Sequence, residues 1–309
     1  MKINCVVVTY NRLELLKECL QAIEKQTYEI HKIVIINNSS TDGTFEFLNS
    51  LSGSDKYLIV HTEENVGGAG GFNLGLKHSV LAGCDYTWLM DDDTIPEPTA
   101  LQELVNSASI SNVGTIGFVC SQVNWIDGTQ HVMNRVSVCQ DKNGNPIRVE
   151  ENGNSACKCK LCSFVSVMVN TEAVMELGLP IKEFFIWCDD LEYTIRIYKA
   201  GYTCLFADKS IVLHKTKTNY APSIDKAPAE MAGRFYYQAR NVCYIKRNYS
   251  KKNFFFYLWL LNKYRVYKHR IGKRTDDPES KATFLKAVKA GLKDGSRFLP
   301  KVEYIKKKQ

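Results

Sequence analysis

Three consecutive carboxylates, Asp91-Asp92-Asp93, follow directly on an apolar stretch. Side by side they repel one another unless a cation or solvent neutralises them. Oxygen ligands of this kind suit Mg²⁺ or Mn²⁺, whose coordination is usually completed by substrate phosphates. Side chains alternate along extended backbone, so Asp91 and Asp93 are expected to face one way and Asp92 another. For the triplet alone, a solvated acidic turn is the plain alternative. A second acidic group, Trp187-Cys188-Asp189-Asp190-Leu191-Glu192, opens a predicted helix. A helix N-terminus favours ionised carboxylates, so at least one is available as a general base. Helix capping by Asp189 or Asp190 would explain the same residues without chemistry. Gly67-Gly68-Ala69-Gly70-Gly71 allows close backbone approach to a diphosphate and leads into a helix N-terminus, itself an anion site. It is not the dinucleotide fingerprint, because the first strand–helix turn is Thr9-Tyr10-Asn11-Arg12, without glycine. It also lacks the Gly-Lys-Ser/Thr ending of an ATPase phosphate loop. His214 follows an apolar run, and a lone histidine takes its meaning from whatever the fold sets beside it.

These residues need elements to position them. Ile3–Thr9 is a continuous apolar run, the mark of a strand buried on both faces. Residues 13–26 carry Leu13, Leu16, Leu20 and Ile23, a helical stripe. Strands are predicted over 33–36, 57–61, 86–90 and 116–123, and helices over 44–51, 72–82 and the stretch beyond Pro98. This alternation predicts βαβ units and a mainly parallel sheet. Ligands of open α/β sheets bind outside the carboxyl ends of the strands. Four polar motifs follow four predicted strands on that rim: 9–12, 37–43, 65–71 and 91–93. Residues 125–156 are polar, with Asp127-Gly128 and Asn143-Gly144 as hairpin-turn signals. A strand over 162–169, a helix over 171–177, a helix over 191–200 and a short strand over 203–206 follow. Residues 228–270 are aromatic, basic and predicted helical throughout. The expected division is 1–220, with a nucleotide half of about 1–120 and an acceptor half of about 121–220, and a helical region over 221–309.

The chain has 309 residues, 45% hydrophobic and 24% charged, an ordinary globular composition that excludes collagen, low-complexity disorder and a coiled-coil rod. Its net charge of +7 is local: residues 246–274 hold ten Lys or Arg and no acid, leaving −3 elsewhere. That is a surface patch, not the charge of a nucleic-acid-coating protein. Lys251, Lys252, the apolar run 254–261 and then Lys263, Arg265, Lys268 and Arg270 suit a helix lying on anionic lipid. The alternative is that the aromatics pack inward and the charges are merely solvated. No stretch approaches the ~18–20 apolar residues of a spanning helix, and the N-terminus lacks signal-peptide features. Eleven cysteines without an export signal predict reduced thiols in a cytoplasmic protein. Cys157, Cys159 and Cys162 have zinc-ligand character, with free thiols as the simpler reading.

Taken together the motifs resemble the family-2 glycosyltransferases of GT-A fold, from residue 3 to about 250. Val8-Thr9-Tyr10-Asn11-Arg12 is similar to that family's first nucleotide-contacting turn, and Asn38-x-Ser40-x-Asp42-Gly43 to its second. Gly67-Gly68-Ala69-Gly70-Gly71-Phe72 resembles the glycine loop of its galactofuranosyltransferases. Arg234-Phe235-Tyr236-Tyr237-x-x-Arg240-Asn241 is similar to an aromatic segment of those enzymes and of bacterial rhamnosyltransferases. The resemblance implies Mn²⁺ or Mg²⁺ on Asp91, Asp93 and His214, the last lying 24 positions after Asp190. It implies nucleotide-sugar contacts from Thr9, Asn11, Arg12, Asn37, Asn38, Asp42, Asn65, Gly70, Gly71 and Asp92. It further implies Asp190 as catalytic base, with Trp187, Asp189 and Glu192 toward the acceptor. Asn37 departs from the family, which usually has an aspartate there against the base. An amide still accepts a hydrogen bond, and a dTDP-sugar such as the rhamnose donor stays open beside UDP-galactofuranose. The implied acceptor is a polyprenyl-diphosphate-linked glycan met peripherally at the inner face of the cell membrane, with no nucleic acid involved. A nucleotidyltransferase, a non-catalytic sugar-nucleotide-binding protein and a docking scaffold are the rival classes. The first wants a glycine-rich basic turn after the first strand, and the others leave the acidic clusters unexplained.

Overall fold

The structure is a computed structural model that describes residues 1–250 and 255–306. Strand β1 (Ile3–Thr9) is buried along its whole length, as its uninterrupted apolar sequence requires. It pairs in parallel with β2 (Lys32–Asn37) and β4 (Tyr86–Asp91), and β2 pairs in parallel with β3 (Tyr57–His61). The crossovers are α1 (Leu13–Glu24), α2 (Thr44–Leu51) and α3 (Gly67–Leu81). Leu16, Cys19, Leu20 and Ile23 form the buried stripe of α1.

Beyond β4 come β5 (Thr94–Pro96), α4 (Ala100–Ala108) and β6 (Ile116–Asn124), then the short strands β7 (Ser137–Val138), β8 (Arg148–Glu151) and β9 (Asn154–Leu161). They are followed by β10 (Val167–Asn170), α5 (Thr171–Leu177), α6 (Asp189–Lys199) and β11 (Thr203–His214). The sheet order is β3-β2-β1-β4-β10-β6-β11-β9-β7. In it β3, β2, β1, β4, β6 and β11 share one direction, and β10 lies reversed between β4 and β6. Apolar layers cover both faces, one centred on Trp88 and Leu104, the other on Phe118, Phe164 and Tyr193.

Several boundaries differ from the sequence expectation. Of the strand expected over 162–169 only 167–169 is strand, the start of β10; 162–166 is irregular, Ser166 accepting the Trp88 indole N–H at 2.9 Å, and β9 lies wholly before it. The short strand at 203–206 runs on to His214, with a register shift between Ala207 and Ile211 that re-aims its second half. The helix expected throughout 228–270 is divided into α7 (Ala232–Tyr249) and α8 (Phe256–Gly272); Lys251, Lys252 and Phe254 lie outside the described residues. A further helix, α9 (Pro278–Gly295), packs on α7 through Gly291 and Gly295, where a Cβ would meet the α7 backbone at 2.3 and 2.8 Å. The three cysteines do not gather round one ion. Cys157 faces Arg148 and Asp208, whereas Cys159 and Cys162 adjoin Cys120. No described helix is long and apolar enough to cross a membrane.

Candidate active site

The carboxyl ends of β1, β2 and β4 open on a cleft of about 870 Å³, whose far wall is the 185–191 segment and the start of α7. Thr9, Asn11, Arg12, Asn38, Asn65, Asp91, Asp92, Asp93, Trp187, Asp189, Asp190 and His214 all line it.

The acidic triplet divides as alternation predicts. Asp92 turns toward β1, accepting from Thr9 Oγ1 at 2.8 Å and from Arg12 Nη1 at 3.2 Å. Asp91 and Asp93 face His214, and the ligand atoms of these three lie within 4.8 Å of one another. Backbone pairing brings the histidine there from 121 positions away: β5 runs antiparallel to the end of β11, with Thr94 opposite His214, and Lys215 N donates to Asp93 O at 2.9 Å.

The donor set fits a divalent cation. His214 Nδ1 lies 2.8 Å from Asn134 Oδ1, which can only accept, so that nitrogen carries the ring proton. In the neutral ring, Nε2 then presents a lone pair toward Asp93 Oδ1 at 3.2 Å, and that buried oxygen has no aligned donor. Two lone pairs facing each other in a buried place are what a cation would reconcile. A ring nitrogen fixed by a polar partner is also the usual arrangement behind a metal-bound histidine. Burial and Asp93 push Asp91 up to about 7, and burial pushes Asp92 up to about 6. Burial opposes ionisation of Asp93 as well; a His214 ring that donates from Nε2 and carries charge would, with Arg12, hold it below the usual carboxylate range, the proton there filling the place a cation would take.

Across the cleft, Asp189 and Asp190 open α6. Burial pushes Asp190 up to about 6, tempered by the Leu191 N–H at 2.7 Å. Burial and the Asp190 charge push Asp189 well higher. Neighbouring carboxyls whose environments separate their ionisation make an acid and a base from one residue type. Asp190, the less raised of the two, is the member of the pair that ionises first as pH rises.

Five candidates from the sequence lie elsewhere. Asn37 does not line the cleft: its amide meets His61 Nδ1 at 3.0 Å and its oxygen accepts from Ser40 N. Asn38 faces the cleft in its place, its amide held by Val66 N, Asn65 Oδ1 and Gly67 O. Asp42 ties the Leu13 and Thr44 N–H groups, joining the starts of α1 and α2. Glu192 is fully buried in a bidentate pair with Arg196 and accepts from Tyr249 Oη of α7 at 2.5 Å.

The glycine segment is already helical. Gly70 and Gly71 face Val66 and Val8 so closely that a Cβ would sit 2.7 and 2.4 Å from those side chains. Gly71 serves helix–sheet contact, whereas Gly70 makes room for Val66 at the start of α3 itself. Gly67, at φ +73°, is required for another reason, since a Cβ there would fall 2.1 Å from Phe185 O. That carbonyl accepts from Ala69 N at 3.1 Å, so the N-terminus of α3 docks on the acid-bearing segment instead of standing free.

Sequence reasoning missed Asn134, whose signal is a turn residue with no periodicity. It also left Arg234 and Tyr237 without a role, though both line the cleft from α7.

Solved structures share this architecture. GalNAc-T7 with UDP, GalNAc and Mn²⁺ superposes with a TM-score of 0.61 at 15% identity, over 96% of this chain and 57% of that one. S. aureus TarS 1-349 in complex with UDP gives 0.53 at 15% identity, over 96% and 92%. With the rim of polar strand ends and the split acidic triplet, the fold is that of a GT-A glycosyltransferase. The sequence profile of glycosyl transferase family 2 matches residues 5–178, and the chain belongs to that family. Among curated relatives, galactofuranosyltransferase GlfT1 of Mycolicibacterium smegmatis is 27% identical over 211 residues, 65% of this chain and 68% of its own. Glycosyltransferase AglE of Haloferax volcanii is 26% identical over 218 residues, 70% and 67% of the two chains.

Proposed function

We propose that this glycosyltransferase is inverting and metal-dependent, moving galactofuranose from UDP-galactofuranose onto a polyprenyl-diphosphate-linked glycan in surface-polysaccharide synthesis. The observation that carries the reading is one cleft holding a cation-ready triad on one wall and the adjacent carboxyls Asp189 and Asp190 on the other. The galactofuranosyl donor is favoured by the likeness to GlfT1. A deoxythymidine diphosphate donor is the second reading, favoured by an amide, Asn38, facing the cleft at the end of β2.

Asp91, Asp93 and His214 would hold Mn²⁺ or Mg²⁺, which supplies charge stabilisation for a departing diphosphate. Thr9, Asn11, Arg12, Asn38 and Asn65 bind the nucleotide, Arg12 bringing the guanidinium nearest the triad. Asp190 accepts the proton of an acceptor hydroxyl as that oxygen attacks the anomeric carbon on the face opposite the leaving group. Asp189 hydrogen-bonds the acceptor beside Asp190, and Trp187 orients its sugar ring. The exposed face of α8 rests on the inner surface of the cell membrane, where a lipid-linked acceptor is presented.

Replacing Asp190 with Asn tests the scheme. Turnover should fall by about 10²–10⁴-fold, the worth of a general base, with UDP affinity in Mn²⁺ unchanged. Undiminished turnover would remove Asp190 from its role, and full activity in EDTA would remove the metal.

A further inference from the structure

The segment that delivers the acid pair is held in a backbone conformation its residues disfavour. Phe185, Trp187 and Cys188 have φ of 62°, 65° and 68°, with no glycine among them. Non-glycine residues keep such angles only where their surroundings over-determine them. The source of that constraint lies outside the segment, on α7.

Asn241 has no exposed surface. Its amide nitrogen donates to Phe184 O at 2.9 Å, Ile186 O at 3.2 Å and Trp187 O at 2.9 Å, so two hydrogens are shared among three carbonyls of the turn. The amide cannot turn over, because Arg240 Nε donates to Asn241 Oδ1 at 3.1 Å. Arg240 also donates to Glu183 O and Phe184 O, and the Tyr237 ring stacks on Phe185 at 4.8 Å. No other side chain of this size could do the same. Aspartate would set an oxygen against three carbonyl oxygens, serine has one hydrogen, and a larger group does not fit a fully enclosed place.

We propose that Asn241 is a positioning residue for glycosyl transfer: by clamping three carbonyls of the 184–187 turn, it fixes where α6 begins and hence how Asp190 faces the cleft. The inference rests on Asp190 being the base. It does not require Asn241 to touch donor or acceptor. The C-terminal helices thereby become part of the catalytic machinery.

The test compares Asn241→Ser and Asp190→Asn with Phe284→Leu, which loosens the same helical cluster at a ring that meets Trp187 of the turn through Phe235. With UDP-galactofuranose as donor, Asn241→Ser should lower kcat by about tenfold or more, since a misplacement near 1 Å costs about 100-fold. UDP affinity in Mn²⁺ should stay within about twofold, which separates lost transition-state geometry from lost binding. Amide exchange across 184–190 should quicken while β1 and β4 are unchanged. Phe284→Leu should lower the melting temperature and keep kcat. Arg240→Met frees the amide at a partly exposed site and should show the Ser signature more weakly, which keeps the test decisive if the Ser variant does not fold.

A folded Asn241→Ser with wild-type kcat would overturn the proposal, as would an equal kcat loss in Phe284→Leu or a silent Arg240→Met beside a misfolded Ser variant. Asp190→Asn separates the two failures. Retained turnover there defeats the base assignment, whereas its loss beside an active Asn241→Ser defeats the clamp alone.

Discussion

At the scale of single residues, the cleft depends on environments that separate like groups. Asp189 and Asp190 are adjacent acids, yet burial and the Asp190 charge raise Asp189 further, whereas burial raises Asp190 to about 6. A base must be deprotonated to act, so kcat/KM should be flat above that value and fall about tenfold per pH unit below it. A pH–rate profile whose acid limb persists unmoved in Asp190→Asn would assign the limb to another group. Much of this scale was legible in the sequence. Three aspartates at a strand end divide by alternation, and Asp91 with Asp93 follows from period two alone. Glu192 was misread although its partner was visible: Arg196 stands four residues on, the spacing of a helical ion pair. Asn134 and Asn241 were illegible in role because a side chain that bonds a distant imidazole or backbone leaves no periodic trace.

At the scale of elements, the glycine segment marks where propensity and packing disagree. Glycine disfavours helix by about 1 kcal/mol, which is why 67–71 reads as loop. The residues are helical nonetheless, because only a side chain of one hydrogen lets α3 approach β1 at Val8. Gly71→Ala should therefore destabilise by about 1–3 kcal/mol, the cost of overpacking. Gly68→Ala, with nothing within 4 Å of its Cβ, should be neutral or slightly stabilising. Urea midpoints of the two variants check this, and equal midpoints would mean that α3 shifts freely on the sheet. The long reach of β11 was hidden for the same kind of reason. Its continuation past residue 206 depends on β5 and β6 as partners, and no local propensity encodes a non-local ladder.

At the scale of the whole molecule, charge and apolar surface coincide on α8. Tyr257, Leu258 and Leu261 are 74%, 62% and 59% exposed near its start, and Arg265, Lys268 and Arg270 are exposed further along. The opposite face, Phe256, Tyr267 and Ile271, is buried against α7 and α9. Aromatics pack inward on one side, as one sequence reading expects, and remain uncovered on the other, the side on which contact with lipid is proposed. Flotation with anionic vesicles should recover the protein in a salt-sensitive way, and Leu258→Glu with Leu261→Glu should abolish it. Equal recovery with neutral vesicles would remove the electrostatic component.

The pairing of β5 with the end of β11 carries one more consequence. Two of the three side chains proposed to grip an ion come from around residue 92 and the third from the close of the last strand, so a polypeptide emerging in order would not complete the triad until that strand had docked. Cation occupancy would then act as a seal on completed assembly, strengthening the finished topology by mass action and leaving incomplete ones untouched.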